Sequence, residues 1–564
     1  MTIQWLLPVA LATPLVALLT ALCSRLRPWL PNLLWLLPLP ALVAAVLALH
    51  GIPLAFTLSG LSFALDQPGA MLLAAAALLW SLAGLAVPAV LDQPSATRLS
   101  LWWLPTLAGS LAVFGAADLL SFYLAYAIVG MSSWGLIGHA DHIQARHAAG
   151  GYLIFALSGE LCVLMACVLL AAPLSAQTGL SFDAVTAALP SSPWRHAAVG
   201  LLMLGLGIKI GLVPLHSWMP LAYSAAPPVA AAVIAGAASK AGIIGLIRLL
   251  PIAEGLMSTW GLMLAVLGLV TAFYGLLIGV KQRQPAAVLA YSSISQLGLT
   301  ASLLGVGLMS AEPLSRAAAV FYAAHHLLVK GVLFLALALI MVSGARWRVL
   351  LGVTLLGLSL AGLPLTAGFL AKLGLKPILG DGTIGLLASL AAAGTTLLML
   401  HFVRRLAATQ PVSPTVLAPQ AWLALGLLSL AALIVPWLLV PLSLGQPMRL
   451  ALGLPVDQIP IWNVPWSLTR WIEFWQQLIS APGLGKALWQ VLWPLLFGGL
   501  IALALWLPPL PPGDVLLLVE RLGLRIVCRI GEQIQRLEHH LRAWPVAGLA
   551  LLGLVLLFAV MLMG

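Results

Sequence analysis

Runs of about twenty apolar residues recur along the whole chain, and that is the length an α-helix needs to cross the hydrocarbon core of a bilayer. Reading for such runs gives about sixteen candidate spans. They fall near 3–23, 29–49, 70–91, 101–116, 118–138, 150–172, 197–216, 226–250, 257–280, 287–309, 317–342, 349–371, 383–403, 421–444, 488–508 and 545–563. Charge between them is scarce: 7% of the 564 residues are charged and 62% are apolar. An average soluble domain carries roughly 25% charged residues. A water-facing surface cannot be built from so few charges, which excludes a soluble enzyme, a nucleic-acid binder and a disordered chain. The fold class is an all-α polytopic membrane protein. The 39 prolines fit this reading, because bilayer helices tolerate proline where neighbours re-satisfy the freed backbone groups.

The net charge of +11 is read as topology, since basic residues accumulate in cytoplasmic loops. Loops after odd-numbered spans carry Arg25, Arg27, Arg98, Arg146, Lys281, Arg283, Arg346, Arg348, Arg404, Arg405 and the arginines from Arg521 to Arg542. Loops after even-numbered spans carry fewer: Arg195, Arg248, Arg316, Lys376, Arg449, Arg470 and Lys486. The expected N-terminus is therefore outside a cell inner (cytoplasmic) membrane. Arg25 and Arg27 follow the first apolar run instead of preceding it, which predicts a retained span and not a cleaved signal. Cys23, Cys162, Cys167 and Cys528 make no CxxC or zinc-like spacing; no cofactor and no metal site are expected in this chain.

An ionisable group at bilayer depth costs about 2.5–3.5 kcal/mol on insertion scales and is a functional candidate by default. Of the 15 carboxylates, only Glu160 falls inside a span. The basic candidates are Lys209, Lys240, Lys330 and Lys372, joined by His216, His325 and His326. A row of such lysines, bridged by histidines and water, can pass protons or switch one another by charge repulsion. The simpler reading is snorkelling to an interface, which suits Lys372 near a span end better than the other three. For Glu160 the simpler reading is a structural pair with a lysine. Pro214 and Pro364 interrupt spans 7 and 12, close to Lys209 and Lys372. Two broken helices at corresponding places point to inverted repeats with midplane sites.

Near the C-terminus, Val519, Leu522, Ile526, Ile530, Ile534, Leu537 and Leu541 recur at steps of three or four with charges between them. This predicts an amphipathic helix along the membrane surface or on a neighbouring subunit, with a solvated connector helix as the plainer alternative. The Trp-rich segment 459–478 reads as an interfacial anchor.

The stretch KIGLVPLHSWMPLAYSAAPPVAAAVIAGAASKAGIIGLIR, starting at Lys209, resembles the signature of the antiporter-like subunits of respiratory complex I. The same family includes subunits of Mrp-type cation/proton antiporters and membrane-bound hydrogenases. LAYSSISQLG at 289–298, HHLLVKGVLFLALA at 325–338 and LAGLPLTAGFLAK at 360–372 extend the resemblance over roughly 110–405. It implies about 14 core transmembrane helices, two inverted five-helix repeats, broken helices 7 and 12 and, in some members, a lateral helix. By position it makes Lys209 the central helix-7 lysine and Lys240 the helix-8 lysine. His326 and Lys330 match the second half-channel, Lys372 the terminal helix-12 position, and His216 the PxHxW motif. The family's helix-5 glutamate falls at Ala127 and is missing; Glu160 is the candidate substitute.

The expected organisation is N-terminal helices in 1–100, half-channels in 101–250 and 251–405, C-terminal helices in 406–510, and the lateral and last helices in 511–564. The leading expectation is a proton-translocating, non-redox membrane subunit of a dehydrogenase-like or hydrogenase complex. The alternatives are an Mrp-type Na⁺(K⁺)/H⁺ antiporter module and an energy-coupling subunit for inorganic-carbon uptake paired with a zinc protein. Expected partners are other membrane subunits, membrane lipid, and peripheral redox or zinc-containing subunits, with no nucleic acid.

Overall fold

Three of the long helices begin at a capping side chain. Asp66 accepts the Gly69 N–H at 2.9 Å, Asp118 accepts the Ser121 N–H at 2.7 Å, and His142 Nδ1 accepts the Ala145 N–H at 3.0 Å. The structure, a computed structural model, describes residues 3–140, 142–174, 179–252, 257–411, 416–443, 447–448, 451–452 and 468–504. In chain order its main helices are α1 (Leu6–Thr20), α2 (Leu39–Leu49), α3 (Gln67–Val90), α4 (Gln93–Gly115), α5 (Leu119–Ile137) and α6 (Ile143–Ala171). Then follow α7 (Arg195–Ile210), α8 (Trp218–Ala225), α9 (Pro228–Leu249), α10 (Ser258–Gly279), α11 (Pro285–Ser310) and α12 (Leu314–Ser343). The last are α13 (Trp347–Ala361), α14 (Ala367–Leu379), α15 (Thr383–Ala407), α16 (Pro419–Ser443), α17 (Leu468–Ile479) and α18 (Leu484–Ala504). Ten described helices are long and apolar enough to cross a membrane. The chain is an all-α polytopic membrane protein.

Spans 7 and 12 are both broken. Each first half ends at a glycine in the left-handed region, Gly211 (φ 72°) and Gly362 (φ 108°), where a residue without Cβ fits. Proline follows shortly after each, and α8 and α14 resume the helices. Lys372 thus sits inside a second half-helix that runs on to Leu379, not near the end of a span closing at 371. The run 29–49 also differs from a single span. It holds short turns at Arg27–Trp29 and Leu30–Leu33 before α2, because Pro31, Pro38 and Pro40 remove backbone donors. A hairpin, β1 (Ala55–Leu58) with β2 (Leu61–Ala64), is tied to the start of α5 by the Ser62 N–H donating to Asp118 at 2.6 Å.

Small residues set the closest packing. Gly261 and Gly268 of α10 face Gly305 and Gly298 of α11, and a Cβ on Gly268 would stand 2.5 Å from the Gly298 carbonyl oxygen. Bare backbones in contact gain dispersion where lipid offers no hydrophobic drive. At the other end, Trp475 of α17 is buried against Trp437 of α16, with ring centroids 4.9 Å apart. That member of the Trp-rich segment packs on a neighbouring helix. The expected lateral helix and the last span lie outside the described residues.

Candidate functional site

The ionisable side chains fall into three groups. In the first, Glu160 of α6 and Lys209 of α7 are 5% and 6% exposed. Both end over Gly130 of α5: a Cβ there would lie 3.1 Å from Lys209 Nζ and would overlap Glu160 Oε1. The two side chains, of opposite formal charge, therefore meet beside this glycine. Lys209 Nζ also lies 5.1 Å above the Tyr126 ring. Lys209 occupies the last turn of α7, where the freed carbonyls and the helix dipole favour a cation. The break that follows is tied down by Trp218 Nε1 donating to the Ile208 carbonyl at 2.9 Å and the Val213 N–H donating to Thr271 at 3.0 Å.

The second group is Lys240, His326 and Lys330, all within 1% of complete burial. Lys240 follows a single π turn, Ile234–Ala238. There the Ser239 N–H reaches back to the Ile234 carbonyl at 3.1 Å. The shift leaves the Ala235 carbonyl to accept Lys240 Nζ at 2.9 Å, and Lys240 also donates to Ser239 Oγ at 3.2 Å. Such bulges cluster at functional sites. Lys330 Nζ donates to the Leu289 carbonyl at 2.9 Å. The His326 imidazole feels both lysines, and neither of its ring nitrogens has a hydrogen-bond partner among the described residues.

The third group is His325 with Lys372. Lys372 is half-buried. Its Nζ donates to Tyr322 Oη at 3.1 Å, Tyr322 donates to Gln296, and Gln296 donates to Thr395 Oγ1 at 3.0 Å. A cavity of about 50 Å³, lined by Lys372, Lys376, Ser389 and Gln490 among others, runs beside it. Lys376 pairs with Asp381 at 2.5 Å, and this hydrogen bond holds the Asp381 carboxyl below its usual range. The buried His216 ring lies 4.7 Å from Tyr274 and 6.4 Å from Tyr291.

The sequence reading did not single out Tyr126, Tyr152, Tyr322, Gln296 or Thr395. The available signals were position and spacing: Tyr322 precedes His326 by one helical turn, and Gln296 lies within the LAYSSISQLG stretch. Among the described residues, no three His, Cys, Asp or Glu side chains could hold a metal ion together. The arrangement places groups that can hold, exchange and repel protons at successive points in a buried interior.

Residues 116–396 match the family described as NADH:quinone oxidoreductase/Mrp antiporter, TM. NADH-quinone oxidoreductase subunit N of Cereibacter sphaeroides is 32% identical over 349 residues, covering 58% of this chain and 74% of that protein. Hydrogenase-4 component B of Escherichia coli K12 is 31% identical over 225 residues, covering 38% of this chain and 33% of that protein. Among solved structures, the membrane-bound sulfane sulfur reductase, an archaeal respiratory membrane complex, has a chain of similar fold. Its TM-score is 0.69 at 22% identity, covering 98% of this chain and all of that one. The chain therefore belongs to the antiporter-like membrane subunit family of NADH:quinone oxidoreductases and Mrp antiporters.

Proposed function

We propose that this chain moves protons as one membrane subunit of a larger complex in a cytoplasmic membrane. The route runs through Glu160 and Lys209, then Lys240, His326 and Lys330, then His325 and Lys372. The observation that carries the reading is the burial of these groups, all but the half-buried Lys372, in successive clusters within one helical body. An ammonium keeps its proton while a carboxylate stands beside it. When Glu160 moves away, Lys209 gives its proton up, and a neutral Lys240 can take it. Two like charges around His326 exclude one another, so loading Lys240 drives the proton on Lys330 toward Lys372. The cavity beside Lys372 offers the last step to water. His216, buried in the break that follows Lys209, belongs to the same pathway. The stretches 101–250 and 251–405 would act as two half-channels, with the N-terminus outside.

The test is proton flux by the intact assembly, purified in mild detergent with its co-purifying subunits identified by mass spectrometry and reconstituted in vesicles. Flux should be lost in Lys330→Met and be indifferent to added Na⁺ or K⁺. Flux that strictly requires Na⁺ or K⁺ would assign an antiporter module. Glu160 is the one carboxylate within the described spans, so a neighbouring subunit would then have to supply more cation ligands. A single large zinc protein as partner would favour carbon uptake. Wild-type flux in Lys330→Met would overturn the route.

A further inference from the structure

The proposed route has one gap. Lys209 and Lys240 lie on different helices, and neither ammonium contacts the other among the described interactions. A buried tyrosine lies near each of them, and one tryptophan packs on both. Tyr152 of α6 is 3% exposed and donates to the Gly130 carbonyl at 2.7 Å. That glycine is the one against which Glu160 and Lys209 meet. Tyr152 also faces Ser133 and feels the Glu160 charge. Tyr223 of α8 is 1% exposed. Trp218 lies against both tyrosines, its ring 5.1 Å from Tyr152 and 6.2 Å from Tyr223. On its other side Tyr223 packs 5.7 Å from Phe334, one turn beyond Lys330. The Tyr223 hydroxyl faces Ser239, which accepts from Lys240 Nζ at 3.2 Å. Yet it completes no hydrogen bond of ordinary geometry with a described residue.

A buried hydroxyl left without a partner costs about 1–3 kcal/mol, and a fold does not keep one for packing, since phenylalanine would pack as well. We propose that Tyr223 is the hydroxyl relay that joins the Glu160–Lys209 pair to the Lys240–His326–Lys330 cluster, with Tyr152 on its near side. The inference rests on the proton-transfer reading above. In the transfer, the Tyr223 oxygen takes a proton from the Tyr152 side as its own phenolic proton passes to Ser239 Oγ. The Ser239 hydroxyl, which donates to the Ala235 carbonyl at 2.8 Å, turns from it to give its proton to a neutral Lys240 Nζ. Each O–H bond formed is matched by one broken, one proton moves in total, and rotation of the hydroxyls resets the path.

The test compares proton flux by the reconstituted intact assembly carrying Tyr223→Phe with Lys209→Met and Lys330→Met as benchmarks. Tyr223→Phe keeps the ring, so subunit content and thermal unfolding should match wild type while flux falls about tenfold or more. A second series places fluorinated tyrosines at 223, which change phenol acidity with little change in shape. A relay makes flux follow acidity, and a packing role leaves it flat. Wild-type flux in Tyr223→Phe with flux lost in the lysine variants overturns the relay and leaves the route standing. Wild-type flux in both lysine variants overturns the route and the relay with it. If Tyr223→Phe loses subunits, the fluorotyrosine series decides: flux that tracks acidity supports the relay, and flat flux overturns it.

Discussion

Replacing Gly130 by alanine puts a methyl group where the Glu160 carboxylate now rests. The new Cβ would overlap Glu160 Oε1, and it would stand 3.2 Å from Glu160 Cδ and 3.1 Å from Lys209 Nζ. These are the far ends of flexible side chains, so they can swing aside without moving the backbone. Alanine also gains about 1 kcal/mol over glycine in a helix interior, so the fold should hold. The electrostatics change instead. Two unit charges about 5 Å apart interact by about 3 kcal/mol at an effective dielectric near 20. Doubling the separation halves this, and about 1.4 kcal/mol is a tenfold change in an equilibrium constant. Gly130→Ala should therefore leave the thermal midpoint and subunit content within error of wild type while changing proton flux by about tenfold. The assay pairs unfolding in detergent with dye-reported flux in vesicles. Unchanged flux would refute the role given to the Glu160–Lys209 approach. A collapse in stability would show that Gly130 serves packing.

Three further outcomes follow from other parts of the molecule. Arg248 is 4% exposed in its side chain, pairs with Asp66 at 2.6 Å and donates to the Val113 and Phe114 carbonyls. Asp66 is half exposed and can turn to water, so Arg248→Met should lower stability by about 1–3 kcal/mol through the two carbonyls it leaves unpaired, read as a fall in the unfolding midpoint. Burial, and then the Arg98 charge, push the imidazole of His139, in the turn after α5, down to about 4. Between the ordinary value near 6.5 and that lower one, the unfolded chain binds a proton the folded chain refuses. Stability should thus fall as pH drops through this window, and His139→Gln should flatten the slope of midpoint against pH. The Asp381 carboxyl is held down by Lys376, so the contact is present above the ordinary carboxylate range near pH 3.9 and lost only as pH falls through the lowered value. Hydrogen exchange in the turn after Leu379 should be flat from pH 8 to about 5 apart from the intrinsic rate, whereas Asp381→Asn should speed it across that range.

Particular residues show what the chain disclosed before folding. Lys209, Lys240 and Lys330 stood out because a charge inside an apolar run is costly and visible one residue at a time. The two breaks were legible from Pro214 and Pro364. The partners were not, because they are tertiary facts. Glu160 is far from Lys209 in sequence, and only the crossing of α6, α5 and α7 brings them over Gly130. The link from Lys372 through Tyr322 and Gln296 to Thr395 draws on four helices. Its members look like ordinary polar residues on any one of them. The π turn ahead of Lys240 leaves no mark in periodicity, because one extra residue in a fully buried helix does not move a polar face. The division of 29–49 was written in its prolines, but hydropathy averaged over a window hides it.

The central claim is that protons pass along the buried row, and its most direct test is flux through the reconstituted intact assembly with one member changed at a time. Glu160→Gln, Lys209→Met, Lys330→Met and Lys372→Met would be compared with Lys281→Gln, in the turn after α10. Each of the four should cut flux at least about tenfold with subunit content unchanged, and Lys281→Gln should leave it as it is. Wild-type flux in all four would contradict the account.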